Sequence, residues 1–183
     1  ITAVPARGHR PALWLLGSSD YSATVAGHLG LPFSFAHHFA STNTAAALEA
    51  YRDAFRPSQW LEQPYAMIGV PVVCADTDER AEFLAQPSAL SFTRLRQGRP
   101  IQLVTPDELV DYEWTPTEQG LLRSWRQPQV IGDPSSVREQ LDDLVGRFRV
   151  QELMITTMTH SHDDRLHSSD LVAHAWQSAD VFA

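Results

Sequence analysis

The sequence contains no lysine, so arginine supplies all 14 of its positive charges. Asp and Glu together number 22, which gives a formal net charge of −8. A net-acidic chain without a basic cluster lacks the electrostatic footprint of proteins that bind nucleic acid or anionic membranes. We therefore expect neither nucleic acid nor a membrane among its partners.

Cysteine and long apolar runs are also scarce. The single cysteine, Cys74, excludes an internal disulfide framework and a four-cysteine zinc site. No apolar run approaches the roughly 20 residues that span a bilayer, and the amino terminus is not typical of a signal peptide. With 43% apolar and 20% charged residues, the composition predicts a soluble, cytoplasmic globular protein.

Short apolar runs alternate with longer amphipathic segments along the chain. Four βα units are predicted, beginning at Ala12, Phe33, Tyr65 and Glu152, and this alternation indicates an α/β fold with a parallel sheet. Four units are half of an eight-unit barrel, although a small open sheet is also possible. An irregular insertion at 98–117 favours the barrel. The chain begins at Ile1 with a stretch that predicts a loop entered from residues upstream.

Glycine and proline give finer predictions. Gly30 is placed to end the first helix, and Asp133 to cap a helix that starts at Pro134. Pro71 lies inside the longest strand-like run and lacks a backbone donor, so we expect an edge, a bulge or a split there. Pro87 is expected to kink its helix.

The turn after the first predicted strand could carry chemistry. Gly17, Ser18 and Ser19 follow the apolar run Ala12–Leu16 and precede a helix predicted from Ser22. Backbone N–H groups, hydroxyls and the positive end of a helix dipole suit an anion such as phosphate. The same residues also form ordinary turns and N-caps. The turn matches neither G-x-x-x-x-G-K-[ST] nor G-x-G-x-x-G.

Four segments together resemble one protein family. They are LWLLGSSDYSATVAGHLGLPFSFAHHFA, MIGVPVVCADTDERAEFL, QVIGDPSSVREQLDDL and ELMITTMTHSHDDRL, in this order. Each is similar to a segment of the bacterial luciferase-like, flavin-dependent monooxygenases. The resemblance covers 1–183 and implies the carboxyl-terminal half of a (β/α)8 TIM-type barrel.

The resemblance implies a cofactor site. In this family, the turn after the fifth barrel strand holds the phosphate of FMN. Carried to this sequence, Gly17, Ser18 and Ser19 would bind the phosphate through backbone and hydroxyl groups. Tyr21 and Ser22 match positions that add side-chain contacts. FMN is the expected cofactor, with the deazaflavin F420 less favoured.

The resemblance also implies an activity. Reduced FMN, supplied by a separate flavin reductase, and oxygen would oxidise a small organic substrate such as an aldehyde. No catalytic residue is assigned, and no metal is expected. The alternative is a truncated, non-catalytic flavin-binding protein of the same family. A half barrel would expose two sheet edges and its apolar inner face. We therefore expect a homo-oligomer or association with the missing amino-terminal half.

The histidines allow narrower predictions. His37 and His38 are adjacent on the predicted second strand, so their side chains would point to opposite faces and at most one could line a pocket. From the residues alone, a structural role is the expectation, whereas the resemblance implies that Phe35–His38 lies at the carboxyl end of the sixth barrel strand and faces the cofactor pocket. The cluster His160, His162 and His167 is interpreted as a helix start with capping residues rather than a metal site.

Overall fold

The computed structural model describes residue 8 and residues 11–177. Most of the predicted entry loop therefore lies outside the described residues. The strands are β1 (Leu15–Gly17), β2 (Phe33–Phe35), β3 (Ala66–Cys74), β4 (Val130–Gly132) and β5 (Glu152–Thr156). The helices are α1 (Asp20–Leu29), α2 (His37–Ala40), α3 (Thr44–Ala54), α4 (Asp78–Arg96), α5 (Pro116–Arg126), α6 (Pro134–Phe148) and α7 (His162–Gln177).

All strand pairs are parallel, and β3 is the centre of the sheet. It pairs with β2 through 66–68, with β5 through 67–71 and with β4 through 72–74. Strand β1 pairs with β2. Within the described residues, β1, β4 and β5 each pair with one strand, and β1 and β5 leave the sheet open on its two sides, as expected of half a barrel. Strand β4 was not among the four predicted units.

The first two strands differ from their predictions. Strand β1 starts at Leu15 and is not buried, because the Leu16 side chain on its open face is 68% exposed. Strand β2 ends at Phe35, whereas the prediction continued it through His37 and His38. The Ala36 N–H donates to the Gly17 carbonyl at 2.8 Å, and helix α2 follows at once. The placement of His37 and His38 on a strand is therefore wrong.

The structure confirms the helix end predicted at Gly30 and the helix start predicted after Asp133, but not a split of the strand at Pro71. Gly30 ends α1 in the left-handed conformation, with φ 60°. Asp133 caps α6 by accepting a hydrogen bond from the Ser136 N–H at 2.8 Å. Strand β3 continues through Pro71 without a split, and Pro71 lies between the stretch that pairs with β2 and the stretch that pairs with β4. Helix α4 continues through Pro87.

The two faces of the sheet have opposite surroundings. On one face, Phe33, Ile68 and Val70 are fully buried against the helices. On the other face, the side chains alternate with these, and Leu16 and Met154 are exposed. A parallel sheet is ordinarily covered on both faces. The exposed side, here called the inner face, corresponds to the interior of a barrel.

Segment 98–117 is irregular apart from a short 3-10 turn at Pro106–Leu109 and the start of α5. It is anchored by Glu118, which is almost fully buried. Glu118 accepts a hydrogen bond from the Tyr112 hydroxyl at 2.9 Å and pairs with Arg94 at 3.2 Å. Burial alone would raise the pKa of Glu118, but hydrogen bonds from Thr115 and Tyr112, together with Arg94, lower it overall. Arg94 is therefore structural.

No helix in the described part of the chain is both long and apolar enough to cross a membrane.

The Tyr51 hydroxyl ties helix α3 to the entrances of two strands. Its ring is fully buried, and its hydroxyl donates to the Leu31 carbonyl at 2.9 Å. The same oxygen lies 3.1 Å from the Tyr65 N–H, from which it accepts. These contacts fix the chain immediately before β2 and β3.

We expect Tyr51→Phe to lower the free energy of unfolding by about 1–3 kcal/mol, because buried backbone groups would lose their partner. The matched control is Tyr65→Phe, which removes only an exposed hydrogen bond to Glu152 and should change stability by less than about 0.5 kcal/mol. Denaturant midpoints measure both, and equal losses would contradict the assignment.

Candidate functional site

Because the strands are parallel, their carboxyl ends meet at one edge of the sheet. Gly17 ends β1 and lies in register with Phe35 at the end of β2, which pairs in turn with Ile68 of β3. The edge therefore collects the predicted phosphate turn, helix α2 and the segment after β5. Ligands of parallel α/β folds bind at this edge.

The turn from Gly17 to Ser22 is a compact connection between β1 and α1. Ser19 is the N-cap, and its backbone carbonyl accepts a hydrogen bond from the Ser22 hydroxyl at 2.8 Å. A Cβ at Gly17 would overlap the Ser22 side chain. The turn therefore requires glycine at position 17 as long as Ser22 keeps this contact.

The turn offers donors to an anion. Ser18, Ser19 and Asp20 are exposed, and Tyr21 is 81% exposed. The first N–H groups of an α-helix have no partner inside the helix, and the hydroxyls of Ser18 and Tyr21 bond to none of the described residues. The carboxylate of Asp20 is the opposing charge, and it accepts a hydrogen bond from the Asn43 amide at 2.8 Å.

These features fit the phosphate of a flavin cofactor. Phosphate groups bind well at helix amino termini, where N–H groups and the helix dipole point at the ligand. Here the backbone and hydroxyl donors would have to suffice, since none of residues 17–22 is basic. The structure brings Gly17, Ser18, Ser19, Tyr21 and Ser22 together in one turn, as the sequence predicted; their role toward a phosphate stays a prediction.

His37 is a structural residue. Its Nδ1 lies 2.7 Å from the Thr44 hydroxyl, which is itself fully buried, and its ring packs against Phe148. Burial, with smaller contributions from Arg147 and His38, lowers its pKa from 6.5 to about 4. His37 is therefore neutral at pH 7.

His38 has a different environment. Its ring is half-buried, and its Nδ1 lies 3.2 Å from the carbonyl oxygen of Gly69. It also lines a cavity of about 450 Å³ at the carboxyl-terminal edge. His37 lines a different cavity, beside helix α6 and strand β4. The prediction that at most one of the two histidines lines a pocket is therefore wrong, because helix α2 rather than a strand separates the two rings. The expected structural role for both holds for His37.

The cavity lies between the inner face of β3, the segment after β5 and helix α4. Its apolar wall includes Pro71, Val73, Phe92, Leu95 and Trp125, and threonine and serine hydroxyls complete it. Among the described lining residues, Arg96 and Arg165 are the charged ones and none is a carboxylate. Such a mixture suits an organic ligand with an apolar body and a few polar groups.

The histidines after β5 serve structural contacts. His162 lies 2.7 Å from an Arg165 nitrogen, and His167 lies 3.2 Å from Asp76. Among the described residues, no three His, Cys, Asp or Glu side chains are grouped as a metal site would need. Cys74 is fully buried, and burial raises the pKa of its thiol to about 11.

Comparison with known proteins gives a consistent result. The family model described as luciferase-like monooxygenase matches residues 1–150. The chain is 41% identical over 178 residues to the uncharacterized protein YvbT of Bacillus subtilis (strain 168), covering 97% of this chain and 53% of YvbT. It is 39% identical over 171 residues to a luciferase-like monooxygenase of Escherichia coli (strain K12), covering 93% of this chain and 51% of that protein. The chain thus spans about half the length of these relatives.

Solved structures share the fold. Apo-MsnO8 has a TM-score of 0.89 at 35% identity, over 97% of this chain and 54% of MsnO8. The oxygenating constituent of 3,6-diketocamphane monooxygenase from Pseudomonas putida, in complex with FMN, has a TM-score of 0.56 at 19% identity. The match covers 91% of this chain and 48% of that protein. Coenzyme F420-dependent tetrahydromethanopterin reductase from Methanopyrus kandleri has a TM-score of 0.52 at 11% identity. The match covers 88% of this chain and 49% of the reductase.

The parallel sheet, its open edges and the twofold longer relatives define the architecture as half of a (β/α)8 barrel, with a candidate ligand site at the carboxyl ends of its strands. The chain belongs to the luciferase-like monooxygenase family.

The buried His37 predicts a pH dependence of stability. Its folded-state pKa of about 4 lies below the ordinary value of 6.5, so the unfolded chain takes up the proton first on acidification. The contribution of neutral His37 to the free energy of unfolding is fully present above pH 6.5 and is lost as the pH falls toward 4. We expect a loss of roughly 2 kcal/mol between pH 7 and pH 5.

Denaturant unfolding at the two pH values measures this loss. His37→Asn, which keeps a polar partner for Thr44, should lose less stability over the same range. His28→Asn changes an exposed histidine and should keep the wild-type dependence. The same decline in all three proteins would rule out His37 as its source.

Proposed function

We propose that this protein is an FMN-dependent monooxygenase that uses reduced flavin and oxygen to oxidise a small organic substrate, such as an aldehyde. The observation that supports this most directly is the Gly17–Ser22 turn. It presents donors to an anion at the same edge of the sheet as the adjacent cavity. A separate reductase would supply the reduced flavin.

FMN is favoured over F420 as the cofactor. The fold occurs both in an oxygenase complexed with FMN and in an F420-dependent reductase, so fold alone does not choose between them. The preference rests on the resemblance of GSSDYS and GLPFSFAHHF to FMN-using members.

The residues of this chain would bind and orient the cofactor. Ser18, Ser19 and the first N–H groups of α1 would hold the phosphate, and the apolar cavity wall would exclude water from the ring. When bound, the flavin supplies the electron transfer to oxygen and substrate. None of the described cavity residues forms a nucleophile–base pair, which agrees with this division of labour.

A non-catalytic flavin-binding protein is the second candidate. The open inner face favours it, because within the described residues no further strand closes the sheet around the cavity. Oxygen consumption coupled to substrate loss, with reduced FMN supplied, would favour the enzyme. Tight FMN binding without consumption would favour the binding protein.

The phosphate turn is tested by titrating the full-length protein with FMN and with riboflavin, which lacks the phosphate. We expect Gly17→Ala to raise the Kd for FMN about tenfold or more, a loss of about 1.4 kcal/mol, because the new Cβ would displace Ser22. Riboflavin binding should change little.

The matched control is Gly146→Ala in helix α6, where an added Cβ meets open space. It should leave both affinities unchanged. Ser18→Ala together with Ser19→Ala should weaken FMN binding in the same direction as Gly17→Ala. If neither change alters FMN affinity, the turn is only a helix cap.

We further propose that the inner face is covered in the full-length protein, by the amino-terminal half of the barrel or by a second copy. Leu16 and Met154 are large apolar side chains on that face, with exposed fractions of 68% and 52%. Exposed apolar surface of this kind marks an interface.

Thiol labelling measures whether the face is covered. Met154→Cys should react at least about tenfold more slowly than Leu29→Cys, because a covered thiol is inaccessible. Leu29 lies on helix α1 with a similar exposed fraction of 54%, and the buried Cys74 contributes little background. Rates independent of protein concentration indicate covering by the same chain, whereas rates that rise on dilution indicate a second copy. Equal rates at both positions would contradict the proposal.

A further inference from the structure

His38 is held in one orientation by the backbone of the neighbouring strand. Its Nδ1 lies 3.2 Å from the Gly69 carbonyl oxygen. A carbonyl oxygen can only accept, so Nδ1 must carry the proton and donate it. In the neutral ring, the other nitrogen, Nε2, is then an acceptor.

The absence of a side chain at Gly69 makes this contact possible. A Cβ at Gly69 would lie 2.8 Å from His38 Nδ1 and 3.0 Å from its Cε1, so the ring would have to move. The next contact of that Cβ, with the Phe35 carbonyl, is an unstrained 4.0 Å. The glycine in β3 therefore makes room for the His38 ring specifically.

The Nε2 of His38 is available to a ligand. It bonds to none of the described residues, and none of their fully buried side-chain nitrogen or oxygen atoms lacks a partner. An unpartnered Nε2 is therefore one that solvent or a ligand can reach. The ring lines the cavity and lies beside that of Phe39 at an interplanar angle of 49°.

The cavity and the phosphate turn are close enough for one ligand. Gly17 is in register with Phe35, and Phe35 with Ile68, so two strand spacings of about 4.8 Å separate Gly17 from the residue before Gly69. The ribityl chain of FMN separates the phosphate from a planar ring that carries an N–H donor.

We propose that His38 is a flavin-binding residue, whose Nε2 accepts a hydrogen bond from an N–H of the flavin ring while Gly69 fixes the tautomer. The inference rests on the proposed function. In this proposal His38 binds the ring of the cofactor, while the Gly17–Ser22 turn binds its phosphate. His37, with both a buried ring and a buried partner, has no such role.

Variants of the full-length protein, titrated with FMN, test the acceptor. His38→Asn retains a group at the Nδ1 position but none at Nε2, and should raise the Kd about tenfold. His38→Gln places an amide oxygen near the Nε2 position and should stay within about threefold of wild type. Rescue by glutamine but not by asparagine is not expected of a residue that only supports the fold.

Gly69 is tested by a double-mutant cycle. Gly69→Ala should raise the Kd for FMN in the wild-type background, because the ring must move. In a His38→Ala background the same change should have no further effect, since the space is free. Equal effects of Gly69→Ala in both backgrounds would overturn the role assigned to Gly69.

Nitrogen NMR of 15N-histidine protein gives a readout that does not depend on turnover. The free protein should show a protonated Nδ1 at His38, and FMN should shift the Nε2 resonance. Wild-type protein that does not bind FMN would overturn both the proposed function and this inference. Normal FMN binding that is unchanged in His38→Asn, with an unshifted Nε2, would overturn the inference alone.

Discussion

The pairing of β3 with three other strands is the constraint on which the structure depends. A nine-residue strand between β2 and β5, with β4 beside its carboxyl end, fixes where each βα unit delivers its loop. The Tyr51 hydroxyl reinforces this arrangement by fixing the chain before β2 and β3. Because all pairs are parallel, every loop that could hold a ligand emerges on one side.

The same pairing divides the sheet into two unlike faces. Side chains that alternate along β3 pack against helices on one face, whereas on the inner face the flanking strands present Leu16 and Met154 to solvent. Burial of one face supplies the core of this chain. The chain spans about half the length of YvbT and of the Escherichia coli protein.

The two adjacent histidines show how local geometry separates roles. Helix α2 places His37 against Phe148 and Thr44, where desolvation keeps the ring neutral. It places His38 against the Gly69 carbonyl, at the cavity. The difference depends on Phe148 and Gly69, which lie more than 30 positions away in the chain, and on Thr44, which lies close to His37 in sequence. A single glycine in β3 sets the position of one ring, and a buried threonine sets the other.

The sequence by itself determined the parallel α/β class, the end of helix α1, the start of helix α6 and the position of the turn between β1 and α1. Apolar periodicity, Gly30 at a helix end and Asp133 at a helix start are local signals. It did not determine where β2 ends, the exposure of Leu16, the strand β4 or the contact of His38 with Gly69. Each of these depends on which strands become neighbours, and long-range pairing leaves no local pattern in the residues that it brings together.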